Sequence, residues 1–170
     1  MSSENSLLSY FQLFSLPPAF AIDAALLRKN FRTLQRQFHP DKFVHLASAE
    51  QRVALQYATL INEAYACLSS DIARAAYLLD QAGWDNSQPA ALDSAFLFEQ
   101  MHWREALSEA HTAAQLQPLR SETDAAWAQC KVQFAEVLAE ENYSAAAQMF
   151  NKMQFVSKFQ AELSLREESL

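Results

Sequence analysis

Apolar residues recur three and four positions apart along most of this chain, the spacing of one face of an α-helix. Divided at the prolines and the single glycine, the pattern predicts helices over 9–14, 23–38, 49–69, 71–82, 94–116, 122–140 and 143–166. Pro17-Pro18 close the first apolar segment, Pro40 ends the second helix, and Pro118 is expected to end the fifth. The stretch 83–92, from Gly83 through Pro89 to Leu92, lacks the pattern and reads as a linker. The expected organisation is therefore residues 1–82, a linker at 83–92, and a three-helix piece over 93–170.

Two helices of the first piece carry single stripes. At about 100° per residue, Leu27, Phe31, Leu34 and Phe38 fall within roughly 60° of one another. Arg28, Lys29, Arg32 and Arg36 lie nearly opposite, and no acidic residue occurs from Ala24 to Phe38. Like charges at this spacing repel. The face is either solvated or made for an acidic partner. On the third helix Val53, Tyr57, Leu60, Ile61, Ala64 and Leu68 make the expected core stripe, so the two helices pair as an antiparallel hairpin. Asp71 is the expected cap of the next helix.

The helix beginning at Asp93-Ser94 has two apolar faces. Phe96, Trp103, Leu107, Ala110 and Ala114 lie on one side, and Leu97, Phe98 and Met101 on the other beside Glu105 and Glu109. Either both faces are buried, or the second is an exposed strip. The carboxylates favour exposure, because unpaired charges are seldom buried, and an exposed apolar strip rimmed by acids marks a partner site. On the last helix Met149, Phe150, Met153, Val156 and Leu163 share the core face. Phe155 points elsewhere, either capping the core or joining the strip of Leu97 and Phe98.

Composition narrows the classes. Hydrophobic residues make up 51% of 170, enough for a core. One glycine leaves no Gly-rich phosphate loop and no dinucleotide fingerprint, and almost none for hairpin turns. The fold class expected is all-α. A net charge of −7 weighs against nucleic acid as the main partner. Cys67 and Cys130 form no CxxC pair, so no zinc or redox motif is drawn, and both are expected as buried free thiols. No run of 18 apolar residues suggests a membrane span, and Met1 to Ser6 carry no basic signal-peptide region. The expected location is the cytoplasm.

The loop after the basic helix is His39-Pro40-Asp41-Lys42-Phe43-Val44-His45. Pro40 cannot continue a helix, and His39 at a helix C-terminus suits the dipole when protonated. On local chemistry alone the tripeptide is a helix stop. His39, Asp41 and His45 could also be read as a metal set, although Pro40 stiffens the loop and no second acid stands nearby.

Taken together, His39-Pro40-Asp41 between a basic and a long apolar-striped helix resembles a J domain. So do Tyr10-Phe11-Gln12-Leu13-Phe14-Ser15-Leu16-Pro17 at the start and Ile61-Asn62-Glu63-Ala64-Tyr65 in the long helix. Further marks extend the resemblance, over nearly all 170 residues, to the HscB family of J-type co-chaperones of iron–sulfur cluster assembly. These are Arg74-Ala75-Ala76-Tyr77-Leu78-Leu79, Asp93 to Gln100, Arg104-Glu105 and Phe155.

The resemblance implies a J domain followed by a three-helix bundle. It implies contact with the DnaK-type chaperone HscA through His39, Pro40, Asp41 and Lys42 and the cations Arg28, Lys29, Arg32 and Arg36. It implies that the bundle holds the scaffold IscU, with Leu97, Phe98, Glu105, Glu109 and Phe155 at the family's scaffold-binding positions and Met101 beside them. His102 stands where an acid is usual. The implied role is non-enzymatic, without cofactor, metal, nucleic acid or membrane, and with a monomer as the expected state. The competing readings are a general J protein for unfolded clients, a metal enzyme using His39, Asp41 and His45, and a nucleic-acid binder using the basic helix.

Overall fold

The computed structural model describes residues 9–45, 47–85 and 93–170. Its elements are α1 (Tyr10–Leu13), α2 (Ala24–Gln37), a 3-10 turn over Pro40–Lys42, α3 (Ser48–Ser69), α4 (Asp71–Gln81), α5 (Ser94–Glu109), α6 (Ala113–Ala139) and α7 (Tyr143–Glu168). No strand occurs among the described residues. The chain forms two compact units, residues 1–78 and 79–170. Of the expected linker, residues 86–92 lie outside the described residues.

In the first unit, Asp23 caps α2 by accepting from the N–H groups of Ala25 and Leu26, both at 2.9 Å. Leu27 is buried with Phe11, Phe14, Leu16, Ile61, Ala64 and Leu68 in one cluster, and Phe31, Leu34 and Phe38 pack on its edge. The hairpin is pinned by rings: Phe31 stacks on Tyr65 at 3.9 Å and Phe38 on Tyr57 at 5.1 Å. Asn30 anchors α2 to the first segment by donating to the Phe14 carbonyl at 2.7 Å.

The expected α3 stripe is only partly buried. Ile61, Ala64 and Leu68 are in the core, Ala54 is buried instead of its neighbour, and Val53 and Tyr57 are exposed. The cause is length. α3 has 22 residues against 14 in α2, so its first turns run past the end of its partner.

Arg74 in α4 is 6% exposed, and each of its three guanidinium nitrogens is engaged. Its Nε donates to the Phe20 carbonyl at 2.7 Å, and its terminal nitrogens donate to the Leu68 carbonyl and to Asp71 Oδ1, each at 2.5 Å. The same group lies 4.9 Å above the Phe20 ring. Asp71, expected as the cap of α4, is its first residue and holds Arg74. The cap is Ser70, whose extended backbone lets its hydroxyl accept from the Ala73 N–H at 3.3 Å.

In the second unit α6 and α7 run antiparallel. Arg120 donates to Ser164 and Glu167, and Gln160 to Asp124. The expected fifth and sixth helices are cut in the wrong place. α5 stops at Glu109, and Pro118 sits inside α6. The boundary is set by a capping box: Thr112 Oγ1 accepts from the Gln115 N–H while Gln115 Oε1 accepts from the Thr112 N–H. Ala114, expected on the α5 core face, is therefore an exposed residue of α6. α5 meets α7 through large side chains, Phe96 and Trp103 reaching Phe155 and Phe159.

Three helices end in the same double hydrogen bond. After α1, α4 and α6 the bonds are Leu16 N–H to Phe11, Trp84 N–H to Leu79 and Asn142 N–H to Val137. Each is matched by an inner bond, from Ser15 to Gln12, Gly83 to Asp80 and Glu141 to Leu138. The motif needs a left-handed residue. Gly83 supplies φ 75°, but Ser15 at 52° and Glu141 at 57° do the same work with side chains, at a cost in backbone strain.

Candidate functional site

The α2–α3 loop contains a 3-10 turn over Pro40–Lys42, closed by the Lys42 N–H donating to the His39 carbonyl at 3.0 Å. His39 Nδ1 lies 3.3 Å from the Asp41 N–H and 3.5 Å from Asp41 Oδ2. That nitrogen serves one of the two at a time. Neutral, it accepts the N–H; protonated, it donates to the carboxylate. Either way His39 holds Asp41, through its backbone or its carboxylate, and the Asp41 side chain is 85% exposed. The turn thus offers a carboxylate to a donor outside the molecule.

Arg28, Lys29, Arg32 and Arg36 are all exposed on α2, as is Lys42 in the turn. Elsewhere, Arg74, Arg104, Arg120 and Lys152 pair with carboxylates. The four α2 cations form a face whose charge is open to an acidic surface. Arg36, His39, Asp41 and Lys42 also line a groove of about 790 Å³ running between α2 and α3, with Phe38, Leu55 and Ile61 as its apolar wall. Behind it a recess of about 410 Å³ is lined by Phe43, Val53 and Tyr57. Periodicity assigned Val53 and Tyr57 to the core and missed these hollows, because it reads angle around a helix and not the length of its partner.

The second candidate surface is on α5. Leu97 is 47% exposed, Phe98 71% and Met101 67%, and Glu105 and Glu109 continue the same face. The opposite face buries Phe96 and Trp103. The alternative of a helix buried on both sides does not hold. His102, on the strip's flank, faces Glu122 of α6 at 3.7 Å.

Phe155 differs from the rest of this set. It is half-buried against the core, 5.7 Å from the Phe96 ring, 6.4 Å from Trp103 and 6.2 Å from Phe159, with the Arg104 guanidinium over it. Of the two readings open for Phe155, the structure shows the one in which it caps the core. α7 is covered from two sides and buries a wide arc of residues, of which Phe155 is the margin. At the start of α5, Lys152 of α7 hydrogen-bonds Asp93 and holds its carboxyl below the usual range. Asp93 also accepts from the Phe96 N–H at 2.7 Å, the expected cap. Cys130 is a buried free thiol, pushed up by burial, and Cys67 is half-buried.

His45 is exposed, and among the described residues no three His, Cys, Asp or Glu side chains are grouped to hold a metal ion. No helix among them is long and apolar enough to cross a membrane.

Residues 92–164 match the family model described as the HSCB C-terminal oligomerisation domain. A co-chaperone protein HscB homolog of Bordetella petrii is 41% identical, over 91% of this chain and 94% of that protein. Among solved structures, the chaperone HscB from Vibrio cholerae superposes with a TM-score of 0.85 at 34% identity, over 95% of this chain and 99% of that one. The human co-chaperone protein HscB gives 0.90 at 26% identity, over 100% and 87%. On this identity, coverage and helical architecture, the chain belongs to the HscB family of co-chaperones.

Proposed function

We propose that this chain recruits the iron–sulfur scaffold IscU on the α5 strip and presents it to the DnaK-type chaperone HscA, whose ATPase it stimulates through His39, Pro40 and Asp41. The observation that carries this reading is the braced turn: an exposed Asp41 carboxylate held over His39, at the end of a helix with four outward cations. The basic face steers and orients an acidic partner, with an effect that weakens as salt screens it. The preformed turn loses less entropy on docking. None of these groups does chemistry, so the chain is read as no enzyme, and the hydrolytic site belongs to the chaperone.

The strip favours a dedicated client over unfolded chains in general. It is short, helical and rimmed by Glu105 and Glu109, which suits a partner offering apolar and basic groups together. Asp41→Asn is expected to abolish stimulation of HscA's ATPase and to leave thermal stability within about 0.5 kcal/mol, as for a surface change. IscU binding by the variant, measured in a pull-down, is expected to be unchanged. Full stimulation by Asp41→Asn would refute this assignment of the turn.

A further inference from the structure

Another hollow lies between α5 and α6, with a volume of about 790 Å³. Ala95, Phe96 and Ala126 line its apolar part, and Glu99 and Glu122 stand beside them. Its chemistry is visible in what it already holds. The Lys152 ammonium lies 5.2 Å above the Phe96 ring and 2.5 Å from Asp93. An aromatic face with a carboxylate beside it is a favourable seat for a cation. Glu99 and Glu122 are exposed and add two further carboxylates.

The groove is continuous with the strip on α5. His102 follows Phe98 by four residues and precedes Glu105 by three, so it neighbours both on the helix surface. It also faces Glu122, which lines the groove. A partner lying along Phe98 and Glu105 therefore has one residue pair to cross before it reaches an acidic, apolar-floored hollow.

We propose that the scaffold held on the strip crosses the His102–Glu122 pair and seats a lysine or arginine side chain in this groove, its stem on the apolar part and its charge between Glu99 and Glu122. The proposal rests on the assignment of the strip to the scaffold. It adds α6 to the binding surface and makes the groove a determinant of which client is accepted.

The test is calorimetric titration of IscU into the full chain at low and at physiological salt. Glu99→Gln removes one charge with little change of shape, and is expected to weaken binding about threefold and to flatten its salt dependence. Ala125→Trp, at an exposed position lining the groove, fills the hollow without altering charge and is expected to weaken binding about tenfold. Phe98→Ala reports on the strip itself. If Phe98→Ala weakens binding and either groove variant binds like the parent, the groove is empty in the complex and the proposal falls while the strip stands. If Phe98→Ala also binds like the parent, both fall together. Thermal melts of each variant separate lost binding from lost folding.

Discussion

Phe98 and Phe155 are both assigned to the proposed scaffold surface, yet they stand in different surroundings. Phe98 is largely in solvent and Phe155 leans on three aromatic rings. Phe98→Ala should change unfolding free energy by no more than about 0.5 kcal/mol and weaken IscU binding by about tenfold, or about 1.4 kcal/mol. Phe155→Ala should cost about 2 kcal/mol of stability, less than a fully buried phenylalanine. Urea melts beside binding titrations separate the two; equal stability losses would show that both are core residues. Helical angle was enough to find Leu97, Phe98 and Met101, because α5 is covered on one side. It left Phe155 undecided between core and strip because no angle rule says how wide an arc a helix buries. Arg74 entered the sequence reading only as part of a family mark. Its reason is physical: one guanidinium closes two carbonyls and a carboxylate inside the first unit, and a lysine could not present that fork.

At the scale of elements, helix number and order were legible, and one boundary was not. The break assigned to Pro118 falls at Ala110 to Thr112 instead. A proline in the second turn of a helix removes one backbone donor, while the box formed by Thr112 and Gln115 satisfies several orphan groups at once. Local capping therefore outweighed the breaker. Thr112→Ala should lower the stability of the second unit by about 1 kcal/mol, visible as a lower melting midpoint. An unchanged midpoint would mean that packing alone places the start of α6. The long third helix shows the converse. Its existence followed from periodicity, but the fate of Val53 and Tyr57 depended on where α2 stopped, which no reading of α3 could supply.

For the whole molecule, the net charge of −7 makes the cationic face of α2 a local exception. Its attraction for an acidic surface opposes the repulsion of the rest of the chain, so docking should be sensitive to salt. The two surfaces assigned to partners stand on different compact units. A fragment of residues 1–82, which keeps α4 intact, is expected to fold cooperatively and to retain part of the ATPase stimulation while losing IscU binding. Circular dichroism and a chaperone ATPase assay check it. Scaffold binding that survived in the fragment would place the client surface in the first unit.

The buried cluster of the first unit draws only on residues from Tyr10 to Leu78. That of the second joins Phe96 to Leu163. A ribosome makes these sets in order. Before α5 has been translated, the nascent chain already holds every side chain that the first core needs, Arg74 and its two carbonyl partners included. The strip assigned to the scaffold must wait for α7, because the rings of Phe155 and Phe159, on which Phe96 and Trp103 pack, are made last. The turn assigned to the chaperone can therefore be finished while the strip assigned to the scaffold is still unsupported, which sets the sequence in which a newborn molecule gains its two contacts.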